Sequence, residues 1–156
     1  MVGAGRRIVA GQLLPNMHTP FTCLHIVASL HPAAGGPSRT VTQLADALAG
    51  VGGLSVTLLS QGGLGEPAIR PQATEVTCRV CESVSRNGLR LGLPVRTELA
   101  RIARHSPPSL LHNNGLWLPV NHWASSAARR QGVPLVIQPH GMLEPWAMNH
   151  KALKKR

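Results

Sequence analysis

Two short runs, Cys23–Leu30 (CLHIVASL) and Leu54–Ser60 (LSVTLLS), hold almost nothing that would face water. A strand with one wet face alternates apolar and polar residues. A near-continuous apolar run marks a strand covered on both faces, as in a parallel sheet flanked by helices. Between the two runs Val41, Leu44, Ala45 and Leu48 recur at helical spacing. Gly36-Pro37-Ser38 supply cap and first-turn chemistry, and Gly50 or Gly52 ends the helix. Strand, glycine loop, helix and strand in this order form one right-handed βαβ unit.

The alternation continues. Gln61 to Pro71 are loop formers, Glu75–Ser83 (EVTCRVCES) is expected as a third strand, and a polar link passes through Asn87-Gly88. Val95, Leu99, Ile102 and Ala103 outline a helix that stops before Pro107-Pro108. Ser109–Asn114 is a short fourth strand. Pro119 opens a helix whose inner face is Val120, Trp123, Ala124 and Ala127, with Arg129-Arg130 in its last turn and Gly132 just beyond. Pro134–Pro139 (PLVIQP) is a fifth strand. The pattern predicts an α/β fold: a Rossmann-like open parallel sheet with helices on both faces.

The 156 residues are enough for one such domain and no more. Residues 1–22 are expected to be a disordered leader, with Met17 a plausible true start; residues 23–145 form the domain, and 146–156 begin a helix that is cut short. After Arg6-Arg7 the run IVAGQLLP is broken by Gly11, Gln12 and Pro15, too soon for a signal peptide or a membrane span.

The formal net charge of +10 favours anionic partners, or else is a solvated arginine-rich surface. One Phe, three Trp and no Tyr leave little to stack on bases, so no nucleic acid is expected. Three cysteines do not make a disulfide framework and suit a reducing cytoplasm. Cys78 and Cys81 have zinc-knuckle spacing, but there is no second pair, and residues three apart on a strand face opposite ways; no metal is expected. Asp46, placed on the buried side of its helix, and Glu144 are the only carboxylates near the motifs, which excludes a two-carboxylate hydrolase.

Ligands of open α/β sheets bind outside the carboxyl ends of the strands. Three loops there have unusual composition: HPAAGGPSRT, HNNGLWLP and QPHGMLEPW. Gly35-Gly36 allows close backbone approach to a ligand before a helix N-terminus, although such a pair also serves simply as a turn. The loop lacks GxGxxG and Walker A spacing, and Ser60-Gln61-Gly62 stands where a dinucleotide enzyme would place a ribose-binding acid. His112 and Asn113-Asn114 end the fourth strand, as ligand groups or as turn formers. His140 follows the fifth strand, with Gly141 and then Glu144-Pro145 as cap and first turn of a helix through Trp146, His150 and Leu153. A lone histidine in such a place is often structural. Three polar loops on one rim favour a site.

Taken together, LHIVASLHPAAGGPSRTVTQLADALAGVGGLSVTLLS and LLHNNGLWLPVNHWASSAARRQGVPLVIQPHGMLEPWAMNHKALKKR, with the spacing between them, resemble the N-terminal half of family 4, group 1 glycosyltransferases of the GT-B fold. The resemblance runs from about Leu24 to Arg156. It implies retaining transfer of a sugar from a nucleotide-sugar donor to a polysaccharide or lipid-linked acceptor, in polysaccharide biosynthesis, with the donor as substrate and no cofactor. By the same resemblance Gly35 and Gly36 approach the donor phosphate and sugar, His140 is the catalytic cleft histidine, and Asn113, Asn114 and Glu144 line the acceptor side. Such a domain is expected to be cytoplasmic, with peripheral contact to anionic lipid at the inner face of the membrane through Lys151, Lys154, Lys155 and Arg156. The resemblance also implies a second, donor-binding domain with paired Glu, Arg and Lys residues. Without that domain the fragment is expected to be inactive alone. The alternative is a stand-alone basic module that binds nucleic acid or anionic lipid.

Overall fold

The computed structural model describes residues 20–83 and 90–149. Most of the expected leader, the Asn87-Gly88 link and the basic segment from His150 to Arg156 lie outside the described residues. Five parallel strands form one sheet: β1 (Phe21–Val27), β2 (Leu54–Gly62), β3 (Thr77–Glu82), β4 (Leu110–Asn114) and β5 (Leu135–Gln138). Their order across the sheet is β3-β2-β1-β4-β5, the doubly wound Rossmann arrangement, with the chain reversing direction of travel at β1.

The helices are α1 (Gly36–Ala49), α2 (Leu93–His105), α3 (Pro119–Gln131) and the short α4 (Pro145–Asn149). α1 lays Val41 and Ala45 against Val27, Val56 and Leu58 on one face of the sheet. On the other face α2 and α3 bring Val95, Leu99, Val120 and Ala124 onto Leu24, Ile26, Leu59 and Leu111. Adjacent residues of β1 thus serve opposite cores, which is why its sequence shows no polar alternation. Each buried Leu, Ile or Val contributes about 1.5–3 kcal/mol relative to exposure. No helix among the described residues is long and apolar enough to cross a membrane.

Four details differ from expectation. β1 begins at Phe21, two residues before the expected domain start, because the Phe21 amide donates to Gly53 O at 2.8 Å and Phe21 pairs with Leu54. β1 also ends at Val27 rather than Leu30, where pairing with its neighbours stops. Ser38 does not cap α1; its Oγ turns back to donate to Gly35 O at 2.7 Å, and Gly35 is the N-cap. Asp46 is half-buried rather than buried: its Oδ1 accepts the amides of Gln72 and Ala73 at 2.9 and 3.0 Å, tying the β2–β3 connection to α1.

Cys78 packs with the α1-face cluster and Cys81 with the opposite one, so the two thiols cannot share an ion. Burial pushes both thiols up, Cys81 to about 11, so both stay protonated. α3 ends at Gly132, in the left-handed region at φ 66 with open space around its Cβ position. Gly132→Ala meets only backbone strain there. A thermal melt should show a loss of about 1 kcal/mol, roughly 2–4 °C.

Candidate functional site

Because every strand runs the same way, the loops after β1, β4 and β5 leave a common edge. Val27 is in register with Asn114, and Asn114 with Gln138, so the three strands end side by side at about 4.8 Å spacing. The glycine pair and His140 therefore stand on the same end of the sheet.

His140 and Asn114 are brought into contact. His140 sits at φ 49, the only non-glycine residue with positive φ among the described residues, and Gly141 follows at φ 75. This double left-handed turn folds the half-buried imidazole back over the end of β4, where Nε2 lies 3.0 Å from Asn114 Oδ1. Asn114 is 2% exposed, and its Nδ2 donates to His112 O at 3.2 Å, which fixes the amide so that Oδ1 faces the ring. An amide oxygen only accepts, so Nε2 carries the proton and Nδ1 is left with a lone pair. Burial lowers the His140 pKa, which keeps the ring neutral at pH 7. A neutral ring with a free Nδ1 can accept a hydrogen bond from a hydroxyl.

The glycine loop is open. Gly35 adopts φ 96, and a Cβ placed on either Gly35 or Gly36 would meet nothing within 4 Å. No side chain caps the first turn of α1, so its free amides and partial positive charge face outward, suited to a phosphate or sugar oxygen.

The other candidates differ in placement. Asn113 points to the opposite face from Asn114, as Ile26 and Val27 do beside them. It is 1% exposed, and its amide is occupied by α3: Nδ2 donates to Asn121 O and Ser125 Oγ, both at 3.1 Å, and Oδ1 accepts from Asn121 Nδ2 at 2.8 Å. Glu144 is exposed on the rim beside Gly141, its amide donating to Gly141 O and its carbonyl accepting from Met148.

A polar chain that the sequence reading passed over crosses the same sheet face as Asn114. His25 is 1% exposed, with Nε2 3.3 Å from Cys23 Sγ and Nδ1 3.1 Å from His112 Nδ1. Burial pushes the Cys23 thiol up, so it remains S–H and has a proton to donate to His25 Nε2, the arrangement that leaves the His25 Nδ1 proton for His112. His25 in turn donates to His112, and His112 makes a side-chain hydrogen bond to Gln138. The chain is satisfied only with both rings neutral. Burial, then the neighbouring His112, lowers the His25 pKa to about 4; burial, then His140, lowers that of His112. Besides His112 at the end of the fourth strand, its sequence signal was a histidine inside the apolar run Cys23–Leu30.

The glycosyl transferase 4-like domain family matches residues 35–156, most of the chain and every candidate residue from Gly35 to Glu144. The chain belongs to this family. No curated protein matches it. For a glycosyl transferase 4-like domain, nucleotide-sugar and acceptor substrates are the general class.

Proposed function

We propose that residues 23–145 form the acceptor-side half of a sugar-transferring pocket, serving retaining transfer from a nucleotide-sugar donor to a polysaccharide or lipid-linked glycan. The single observation that carries this reading is the contact between His140 and Asn114 at the end of the sheet, which leaves Nδ1 of a neutral imidazole free. In this reading Nδ1 accepts a hydrogen bond from an acceptor or donor-sugar hydroxyl, while the open amides at Gly35 and Gly36 receive the donor phosphate. Glu144 and Asn114 line the acceptor side, Asn114 through His140. Asn113 acts by anchoring α3 behind the rim. The reaction needs only the two substrates, and a donor-binding domain supplies the charge that stabilises the departing diphosphate.

Imidazole NMR of the chain titrated with lipid-linked glycans and polysaccharide fragments tests this. The His140 resonances should move on binding, and His140→Ala should weaken acceptor binding about tenfold, roughly 1.4 kcal/mol, while the melting temperature falls by only a few degrees as Asn114 Oδ1 loses its partner. Acceptors that bind with His140 unperturbed would remove the histidine from the pocket.

Peripheral contact with anionic membrane at the inner face, from a cytoplasmic position, is part of the same proposal. Leu143 and Trp146, 58% and 72% exposed, stand on the rim just before the basic sequence Lys151–Arg156. Co-sedimentation with phosphatidylglycerol vesicles should fall steeply as salt rises and should weaken in Trp146→Ala.

A further inference from the structure

The amino ends of the strands, opposite the glycosyl-transfer rim, enclose a cavity of about 300 Å³ between the sheet and the last turns of α2. Its floor is set by register. Thr22 pairs with Ser55, and Thr57 with Thr77, so four hydroxyl side chains lie next to one another across β1, β2 and β3. They occupy the face that further along these strands carries Leu24, Ile26 and Leu59. Thr22 is engaged by Ser109, whereas Ser55, Thr57 and Thr77 make no side-chain hydrogen bond within the described chain.

The wall is cationic and held in place. Arg101 grips Glu98 through Nε and Nη2 at 2.8 and 2.7 Å, and the same carboxylate takes Arg79 Nη1 at 3.1 Å. One carboxylate thus orients two guanidiniums, and Arg79, bound through a single nitrogen, keeps most of its five donors for a ligand. His105 closes the end with its Nδ1 on Arg101 O at 2.9 Å, leaving Nε2 uncommitted. A helix C-terminus ordinarily repels anions. Here Arg104 and His105 stand in the last turn and Arg79 and Arg101 lie beside it, so positive side chains offset the negative end of the dipole.

The geometry points to a second ligand site in this cavity, for a small phosphorylated sugar: the phosphate on Arg79 and Arg101, the sugar hydroxyls on Ser55, Thr57 and Thr77. No Phe, Tyr or Trp lines the cavity, and the one ring there, His105, is held at its end by the bond to Arg101 O, so the cavity lacks a stacking platform for a nucleobase, and the volume suits a single sugar ring better than a nucleotide. Along β1 the run from Thr22 to Val27 separates it from the glycosyl-transfer rim by roughly 17 Å, so it is independent of the acceptor pocket.

Calorimetric titration of the whole chain with glucose 6-phosphate, inorganic phosphate and glucose tests the site. Glucose 6-phosphate should bind one to one below about 1 mM and about tenfold more tightly than either phosphate or glucose. Arg79→Gln should weaken it about tenfold. Thr57→Val, which keeps the side-chain shape, should weaken it several-fold while the melting temperature stays within a degree or two. Amide shifts on titration should gather at Thr57, Thr77 and Arg79. Absence of saturable binding, phosphate binding as tight as the sugar phosphate, or full affinity in both variants would each overturn the assignment.

Discussion

Acidifying the protein from pH 7 to 4.5 is expected to remove on the order of 2–3 kcal/mol of stability through His25 alone. The buried ring titrates at about 4 in the folded chain, against an ordinary value near 6.5 once unfolded. The unfolded state therefore binds the proton more readily. Stability is complete above about pH 6.5 and declines as pH falls towards 4, where the folded ring protonates as well. Cys23 and His112 are the groups in contact with it, and neither can accept a second proton from His25 without breaking the donor order that satisfies the chain. His112 and His140, both lowered by burial first, add to the loss with the same sign. Urea midpoints measured between pH 7 and 4.5 should fall steadily, and His25→Gln should flatten the curve although it starts from a lower midpoint. A native chain whose midpoint held steady to pH 5 would show that His25 is not held neutral.

The second large effect is expected at Asn121, which stands on α3 behind the rim and holds both asparagines of β4. Its amide donates to Asn113 Oδ1 at 2.8 Å and to Asn114 O at 3.3 Å, and its Oδ1 accepts the Leu118 amide at 3.4 Å. Gly115 lies so close, at φ 126, that a Cβ there would stand 3.0 Å from the Asn121 amide. Asn121→Ala strands the Asn113 carbonyl in a position 1% exposed and frees the carbonyl end of β4. At about 1–3 kcal/mol for each buried group left unpaired, the loss should be about 3 kcal/mol, read as a lower denaturant midpoint with unchanged slope. Because Asn114 carries His140, the same substitution should broaden the His140 imidazole signals. A loss below about 1 kcal/mol would mean that water replaces the amide.

Much of the architecture was legible because the strands are apolar on both faces and the helices carry regular inner stripes. Val41 and Ala45, or Val95 and Leu99, announce themselves by spacing, and burial in the fold follows that spacing closely. Strand ends were less legible, since pairing rather than hydropathy sets them: Phe21 is half-exposed yet bonded to Gly53. At the rim the Asn113-Asn114 pair read as one polar unit, but a strand sends neighbours to opposite faces, so one holds His140 and the other holds α3. Asn121 left no signal of its own, because a polar residue on the inner face of a helix reads as a flaw in the stripe until the partner at Asn113 is known. The hydroxyl floor of the amino-end cavity was equally hidden, for it exists only through the register of three strands.

The two edges of the sheet are not equally protected. β3 carries Arg79 and Glu82 along its border, charges that discourage another chain from adding on. β5 has none: Leu135-Val136-Ile137-Gln138 ends the sheet with Val136 and Ile137 each almost half exposed. Its outward backbone groups have no partner strand among the described residues, and its two exposed side chains, Val136 and Ile137, are β-branched and uncharged. At high concentration strand-to-strand zippering between copies is expected to start at this border, and Val136→Lys or Ile137→Lys should suppress it.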